Sequence, residues 1–239
     1  MTAANTEYIL IRNINMKVKV LRQVTPFSES YWETFNADVP PETSVAALIE
    51  HINYNDDIAD ENGRPTTRIG WECSCLQGVC GSCAMVINGV PSLACETFVR
   101  DLGETVTIKP LQKFPVIHDL VVDRSVIFEN LKNTSMFIGE YNPSHKGKKE
   151  FEHQYSTAKC LKCGLCLEVC PNYTNGESFF GALFANDCYT VASRNGEKAS
   201  EVKKQYAEHF ANACSKSLSC MEVCPMKIQT IASISKMNR

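Results

Sequence analysis

Apolar and polar residues alternate in two short stretches near the start of the chain. Apolar residues alternate with lysines over residues 16–21, and residues 31–39 resemble a second stretch of this kind. A period of two predicts a half-buried β-strand. Residues 26–30, between the two stretches, are typical of a hairpin connection. We therefore expect two neighbouring strands after a loosely held arm over residues 1–15.

The pattern then changes to helical spacing. Thr43 or Ser44 can cap the first turn of a helix. The apolar residues at helical spacing after this cap are Val45, Leu48, Ile49 and Ile52. Residues 53–67 are rich in Asn, Asp, Gly and Pro and predict a surface loop. Residues 84–94, with Asn88-Gly89 at their centre, are typical of a β-hairpin, and residues 105–110 predict a closing strand.

Strand alternation stops at about Phe114. We expect helices over residues 124–138, 179–191 and 202–210, with a polar loop over residues 139–149. Pro225 can serve as the first residue of a last helix. The residues expected on one face of that helix are Ile228, Ile231, Ala232 and Ser235. These patterns predict a fold of class α+β, with a helical domain over residues 114–239.

Composition limits the class of protein. The 239 residues are 44% hydrophobic and 21% charged, which is ordinary for a globular protein, and the net charge of −3 argues against a nucleic-acid partner. The chain begins with no secretory signal pattern, and no window approaches the roughly 18 apolar residues of a membrane span. Thirteen cysteines, an odd number in clusters, disfavour a secreted disulfide scaffold. We therefore expect a metal-loaded protein of the reducing cytoplasm.

The first cysteine group has the spacing C-x4-C-x2-C followed by one distant cysteine. It consists of Cys75, Cys80, Cys83 and Cys95. This is the plant-type [2Fe–2S] pattern. Gly78 and Gly81 allow backbone N–H groups to approach a cluster, and they favour iron over zinc, which the C-x2-C pair also suits. Two strands, a helix and this loop predict a β-grasp ferredoxin domain over residues 16–113.

Two further cysteine runs lie in the second half of the chain. The first reads C-x2-C-x2-C-x3-C-P and consists of Cys160, Cys163, Cys166, Cys170 and Pro171. The second consists of Cys214, Cys220, Cys224 and Pro225, with Ser217 at the position that matches Cys163. In the bacterial pattern, three thiolates of a run hold one cluster and the fourth reaches the other cluster.

Exchange of the two fourth cysteines gives two ligand sets. One set consists of Cys160, Cys163, Cys166 and Cys224, and four thiolates predict a [4Fe–4S] cluster. The other set consists of Cys170, Cys214 and Cys220, and three thiolates predict a [3Fe–4S] cluster. Ser217 is a weaker alternative ligand, because a hydroxyl gives up its proton far less readily than a thiol. The clusters are expected to replace missing apolar volume, so that the helical domain has little stable fold without them.

The whole pattern resembles the iron–sulfur (B) subunit of succinate dehydrogenases and quinol:fumarate reductases, over essentially the full chain. The segments that carry the resemblance are residues 75–83, 88–95 and 114–123 and both later cysteine runs. Residues 71–75 look most like the menaquinone-linked members. His118 stands where relatives have arginine, and a tryptophan that some ubiquinone-linked members place after the Cys170 position is missing.

The resemblance implies a role in electron transfer without substrate-converting residues on this chain. Electrons would pass between FAD in a separate flavoprotein subunit and a quinone held near a membrane-anchor subunit, with or without haem. The [2Fe–2S] cluster would lie towards the flavin and the [3Fe–4S] cluster towards the quinone. The chain would then sit peripherally on the cytoplasmic face of the membrane. Ser215, Ser217 and Lys227 are candidates for the quinone vicinity.

Three other residues have simpler interpretations. We expect Cys73 to be a bystander, because only Cys75 gives the x4 gap, and Cys188 to be a small buried hydrophobe. His118 is expected to be structural rather than a proton carrier.

Two alternatives stay open. One is a soluble fumarate reductase or another flavoprotein dehydrogenase, although such relatives carry a further cysteine-rich domain and this chain ends 15 residues after Cys224. The other is a zinc-stabilised interaction module without a redox role.

Overall fold

The first part of the protein is built on a mixed β-sheet. The computed structural model describes residues 12–55, 57–140 and 147–239. The strands are β1 (Ile14–Arg22), β2 (Tyr31–Val39), β3 (Ala84–Ile87), β4 (Val90–Leu93) and β5 (Thr105–Lys109). Their spatial order is β2-β1-β5-β3-β4, with β1 parallel to β5 and the other pairs antiparallel. The predicted strands are confirmed, and β1 begins inside the expected arm, whose residues 1–11 lie outside the described part.

One face of the sheet is covered by α1 (Val45–Asn53). The side chain of Ser44 caps this helix by accepting a hydrogen bond from Ala47 N at 3.2 Å. Leu48 and Ile49 are fully buried in the same apolar core as Val18 of β1. The alternation of β1 and the helical spacing of α1 thus form one core, and this core supports the cysteine loop that follows α1.

A short hairpin follows the sheet, and it corrects the expectation that strand structure stops at about residue 114. Its strands are β6 (Val116–His118) and β7 (Val121–Val122). Asp119, in the turn, has a positive φ of 47° and is 1% exposed. Its carboxylate accepts hydrogen bonds from Gln23 N at 3.0 Å and Gly70 N at 2.8 Å. These long-range bonds fix the hairpin to the end of β1. Its strands are too short for alternation of apolar and polar residues to predict them.

The second part is helical within the described residues. Its helices are α2 (Ser125–Asn133), α3 (Lys148–Ala158), α4 (Leu165–Glu168), α5 (Gly181–Arg194), α6 (Ala199–Tyr206), α7 (Ser219–Glu222) and α8 (Thr230–Met237). A π-helical segment, Ala207–Ala211, continues α6. None of the described helices is long and apolar enough to cross a bilayer.

Three helix predictions need correction. α2 ends at Asn133 instead of residue 138, and Ser135 beyond it has a φ of 54°. α3 begins at Lys148, inside the expected loop, of which residues 141–146 lie outside the described part. The last helix begins at Thr230 instead of Pro225, and it buries Thr230, Ser233, Ile234 and Met237 while Ile231 is exposed. The last helix packs against α5 with residues that its local spacing does not select.

The centre of the helical part is α5, which packs against α3, α6 and α8. Phe184, Ala185 and Cys188 of α5 have no exposed surface. Apolar side chains therefore fill much of this part and are continuous with the core of the sheet, whereas the expected lack of a stable fold without clusters stays a prediction. Burial of one large apolar side chain contributes about 1.5–3 kcal/mol, so this core is a substantial source of stability.

The buried Arg22 at the end of β1 generates a prediction for stability. Arg22 is 1% exposed and pairs with Glu33 and with Asp119, whose Oδ2 lies 3.0 Å from Arg22 Nη2. Replacing Asp119 with alanine leaves the guanidinium partly unpaired and two backbone N–H groups without an acceptor. We expect Asp119→Ala to lower the free energy of unfolding by about 3 kcal/mol, measured in a urea titration.

The matched control is Asp101→Ala, which removes an exposed carboxylate 3.9 Å from Arg100. A change below about 0.5 kcal/mol is expected for that surface pair. Equal effects of the two substitutions would contradict the structural role of Asp119.

Candidate iron–sulfur sites

The first cysteine group gathers on a loop at the edge of the sheet. Cys83 and Cys95 are buried, whereas Cys75 and Cys80 are half-buried. The Sγ atoms of Cys83 and Cys95 lie 3.4 Å apart. Two sulfurs on one tetrahedral metal with bonds of about 2.3 Å stand about 3.8 Å apart. This pair is therefore close to the separation at which both sulfurs bind one iron.

Backbone N–H groups point at the sulfurs of this loop. Gln77 N and Val79 N donate to Cys75 Sγ at 3.3 and 3.4 Å, and Gly78 N donates to Cys95 Sγ at 3.3 Å. The turn requires left-handed backbone at Gly78, with φ of 71°. A side chain there would also lie 2.8 Å from the Glu96 carboxyl group. Such N–H bonds stabilise thiolates and tune a bound cluster.

The thiols of this loop differ in acidity. Burial raises the pKa of the Cys95 thiol to about 12. Burial also raises the pKa of the Cys80 thiol, but hydrogen bonds with Cys75 and Ser82 outweigh it and bring the pKa to about 6. Cys80 is therefore more ready than Cys95 to form a thiolate, the form that binds metal.

The two later cysteine runs adopt the same backbone conformation. Lys162 and Gly164 in the first run have φ of 55° and 88°, and the matching Lys216 and Leu218 have φ of 58° and 63°. α4 and α7 begin at matching positions directly after them. The left-handed conformation costs a non-glycine residue such as Leu218 about 1–2 kcal/mol. The runs are thus an internal structural repeat that accepts this cost.

The structure brings the thiols of the two runs into two adjoining cavities. The first cavity is lined by Cys160, Cys163, Cys166, Cys220 and Cys224. The second is lined by Cys170, Cys214 and Cys220, together with Ser215 and Ser217. Cys224 therefore lies with the first run and Cys170 with the second, as exchange of the fourth cysteines requires, and Cys220 lines both cavities. Lys227 is exposed and does not belong to either lining.

Burial makes these thiols poor acids in the absence of metal. Burial, followed by the charges of neighbouring cysteines, raises the pKa of Cys166 well above its usual value. Burial also raises the pKa of Cys163 and of Cys220 to about 11. Buried thiolates at such short range repel one another, and bound iron relieves the repulsion. The donor set fits iron–sulfur clusters, whose several metal ions spread the thiolates apart.

A buried hydroxyl of the helical part is unpaired. Tyr206 is 3% exposed, and its hydroxyl has no hydrogen-bond partner among the described residues. Burial, followed by the charges of Cys214 and Cys188, raises the pKa of Tyr206 to about 12. An unpaired buried hydroxyl costs about 1–3 kcal/mol.

Three residues outside the predicted ligand sets have surroundings that agree with their simpler interpretations. Cys188 is fully buried in α5, and Cys73 is exposed. His118 makes structural contacts, with Nδ1 3.0 Å from Val24 O and Nε2 3.3 Å from Asp119 Oδ2.

Two charged side chains near the cavities were not predicted from the sequence. Arg124 joins the first cysteine loop to the loop of Cys163, and Lys162 forms a 2.5 Å ion pair with Asp187 beside the first cavity. Their partners are 25 or more residues away in the chain, so no motif marks them.

Two known domain families match the chain, and their order along it is the order of the cysteine groups. Residues 17–129 match the family of 2Fe-2S iron-sulfur cluster binding domains, and residues 156–228 match the 4Fe-4S dicluster domain. Both matches are to iron–sulfur domains, which favours iron over a zinc module. Within the described residues no group of three or more His, Cys, Asp or Glu side chains is arranged to hold a single metal ion.

Similar proteins cover nearly the whole chain. The succinate dehydrogenase iron-sulfur subunit of Bacillus subtilis is 33% identical over 92% of this chain and 90% of its own length. The fumarate reductase iron-sulfur subunit of Escherichia coli is 30% identical with the same coverage. A chain of the Mycobacterium smegmatis Sdh1 complex in the apo form shares the fold, with a TM-score of 0.77, 24% identity and 95% coverage of both chains. The resemblance seen in the sequence is confirmed: the chain belongs to the iron–sulfur subunits of succinate dehydrogenases and fumarate reductases, and its role is electron transfer.

Proposed function

We propose that the chain relays electrons between an FAD in a partner flavoprotein and a quinone through three clusters. A [2Fe–2S] cluster is held by Cys75, Cys80, Cys83 and Cys95. A [4Fe–4S] cluster is held by Cys160, Cys163, Cys166 and Cys224, and a [3Fe–4S] cluster by Cys170, Cys214 and Cys220. Iron–sulfur clusters supply one-electron oxidation and reduction at potentials from about −700 to +450 mV. In this proposal residues 16–113 form a β-grasp ferredoxin domain, and residues 114–239 form the helical domain around the other two clusters.

The observation that carries the proposal is the serial arrangement of the three thiol groups. The loop of the first group packs against Cys163 of the second, where a Cβ on Gly81 would lie 2.7 Å from Cys163 Cβ. The second and third groups share Cys220 on the wall between their cavities. A series of adjoining one-electron sites suits a relay, because each site has to exchange electrons only with its neighbours.

The two ends of the series differ in their surroundings. The first loop presents Val79, which is 61% exposed, and Leu76, which is 42% exposed, to the outside. At the other end, Ser215 and Ser217 line the second cavity and are exposed. We place the flavoprotein at the first end. At the second end we place a quinone, by family likeness menaquinone, held by a membrane-anchor subunit on the cytoplasmic face.

The test of this function is reduction of the clusters by succinate in the complex purified from cell membranes. We expect succinate to reduce clusters whose EPR signals belong to this chain, and a menaquinone analogue to reoxidise them. The complex should contain a covalent or tightly bound flavin on another subunit. Fully loaded clusters that respond to neither succinate nor fumarate would contradict the proposal.

The spacing of the first loop gives a prediction with an internal control. Cys75→Ser should remove the [2Fe–2S] cluster, because its sulfur accepts two backbone N–H bonds and has the ligand spacing. Cys73→Ser, two residues away and exposed, should keep the full content of iron and acid-labile sulfide. Cluster analysis of both variants, with the EPR signal of the reduced [2Fe–2S] cluster, measures the difference. Loss of the cluster in Cys73→Ser would overturn the ligand assignment.

The third group predicts a cluster conversion. Ser217 occupies the position that corresponds to Cys163 and lines the second cavity. Ser217→Cys supplies a fourth thiolate, so the signal of the oxidised [3Fe–4S] cluster should weaken or disappear as a [4Fe–4S] cluster forms. Ser215→Cys is the control: it also lines the cavity but matches Leu161, which is not a ligand. An unchanged oxidised spectrum in loaded Ser217→Cys protein would refute the assignment.

A further inference from the structure

The two cysteine loops that meet at Gly81 are joined by one side chain. Arg124 Nη1 donates to Gly81 O at 3.0 Å in the first loop and to Cys163 O at 3.3 Å in the second. Its Nη2 donates to Ser82 O at 3.3 Å and to Glu72 Oε2 at 2.5 Å. A planar guanidinium with five N–H donors can serve four acceptors at once, whereas a lysine ammonium cannot reproduce this geometry.

The contact beneath Arg124 has no room for a side chain. Gly81 has a φ of 80°, and a Cβ built on it would lie 2.7 Å from Cys163 Cβ and 3.2 Å from its Cα. The obstructing atoms belong to the backbone and the Cβ of Cys163, so they cannot rotate away. The glycine therefore brings the two loops closer than any other residue would permit.

Arg124 is itself held in place by the hairpin that sequence patterns miss. It lies two residues after the end of β7 and directly before Ser125, the first residue of α2. Asp123 N donates to Pro115 O across the hairpin at 2.8 Å, and Asp123 Oδ1 accepts from Ser125 N at 2.8 Å. The side chain of Arg124 is 15% exposed, so the position of the guanidinium is set by the fold rather than by solvent.

The charge of Arg124 lies against the second loop, with Nη1 3.3 Å from Cys163 O. A positive charge beside a cluster favours its more negative, reduced state.

We propose that Arg124 is a positioning residue that clamps the Gly81 loop to the Cys163 loop and so fixes the separation of the first and second clusters. The inference rests on the proposed ligand sets. It assigns a role to a residue that is not itself a ligand and that lies outside every cysteine motif. Gly81 supplies the close approach, and Arg124 maintains it and holds a positive charge beside the second cluster.

The test uses two pairs of variants in the cluster-loaded complex. Gly81→Ala is compared with Gly89→Ala, because both glycines have a φ of 80° but a Cβ on Gly89 meets no atom within 4 Å. Arg124→Gln, which removes the charge, is compared with Arg124→Lys, which keeps the charge and loses the fork of donors. The measurements are iron and sulfide content, the reduction potential of each cluster, and the magnetic interaction between the two reduced clusters in EPR.

We expect Gly81→Ala to weaken the magnetic interaction and Gly89→Ala to leave it unchanged. The added methyl group forces the loops apart, and dipolar coupling falls with the third power of separation. Arg124→Gln should weaken the interaction and lower the potential of the [4Fe–4S] cluster. Arg124→Lys should weaken the interaction while it keeps most of that potential. These patterns separate positioning from a general loss of stability.

Two outcomes would overturn the inference. One is an unchanged interaction in fully loaded Arg124→Gln protein, and the other is equal behaviour of Gly81→Ala and Gly89→Ala. If Arg124→Gln does not assemble, the glycine pair still decides. Failure of the proposed function looks different, because the unmodified protein would then lack one of the two cluster signals or carry clusters that respond to neither succinate nor fumarate.

Discussion

The constraint on which the structure depends is the burial of cysteine thiols in close groups, because burial disfavours the thiolate form that binds metal. Burial raises the pKa of Cys95, Cys163 and Cys220, so the sulfurs resist ionisation where they stand. Metal binding would reverse the balance, because the thiols would then face cations and release their protons. The protein assists with N–H donors such as Gly78, which points at Cys95 Sγ. Loading with iron and closure of the loops are therefore expected to be one coupled process.

The scaffold supports the sulfurs with an apolar core that continues from the sheet into the helical part. α5 is buried along most of its length, and the core includes residues of β1 and α1. Several cysteines belong to this core or pack against it, and Phe114 packs against the loop of Gly164 from the sheet side. A rigid frame of this kind holds the cysteine loops in defined positions. Sites supported by helices and strands are positioned more precisely than sites on isolated loops.

The repeat of the two later runs explains how one local design yields two different sites. Both runs place left-handed residues before a short helix, and both end at a cysteine followed by proline. The backbone is thus conserved between the runs, and only one side chain differs at a ligand position, Ser217 in place of a cysteine. In our proposal this single oxygen-for-sulfur difference sets the cluster type. Serine in place of cysteine at residue 217 leaves the fold of the run intact, because the left-handed backbone lies at the neighbouring Lys216 and Leu218.

The sequence by itself determined the elements and groupings whose signals are local. The spacing of β1, β2, α1 and the β3–β4 hairpin matches the structure, and the cysteine runs indicate which thiols share a cavity. Only the tertiary structure decided the β6–β7 hairpin, the ends of α2 and α8 and the place of Arg124. Asp119 turns the hairpin through bonds to Gln23 and Gly70, and Arg124 meets partners 39 to 52 residues away in the chain. Periodicity and motif spacing record contacts between near neighbours, and contacts across such distances arise only when the two halves of the chain pack together.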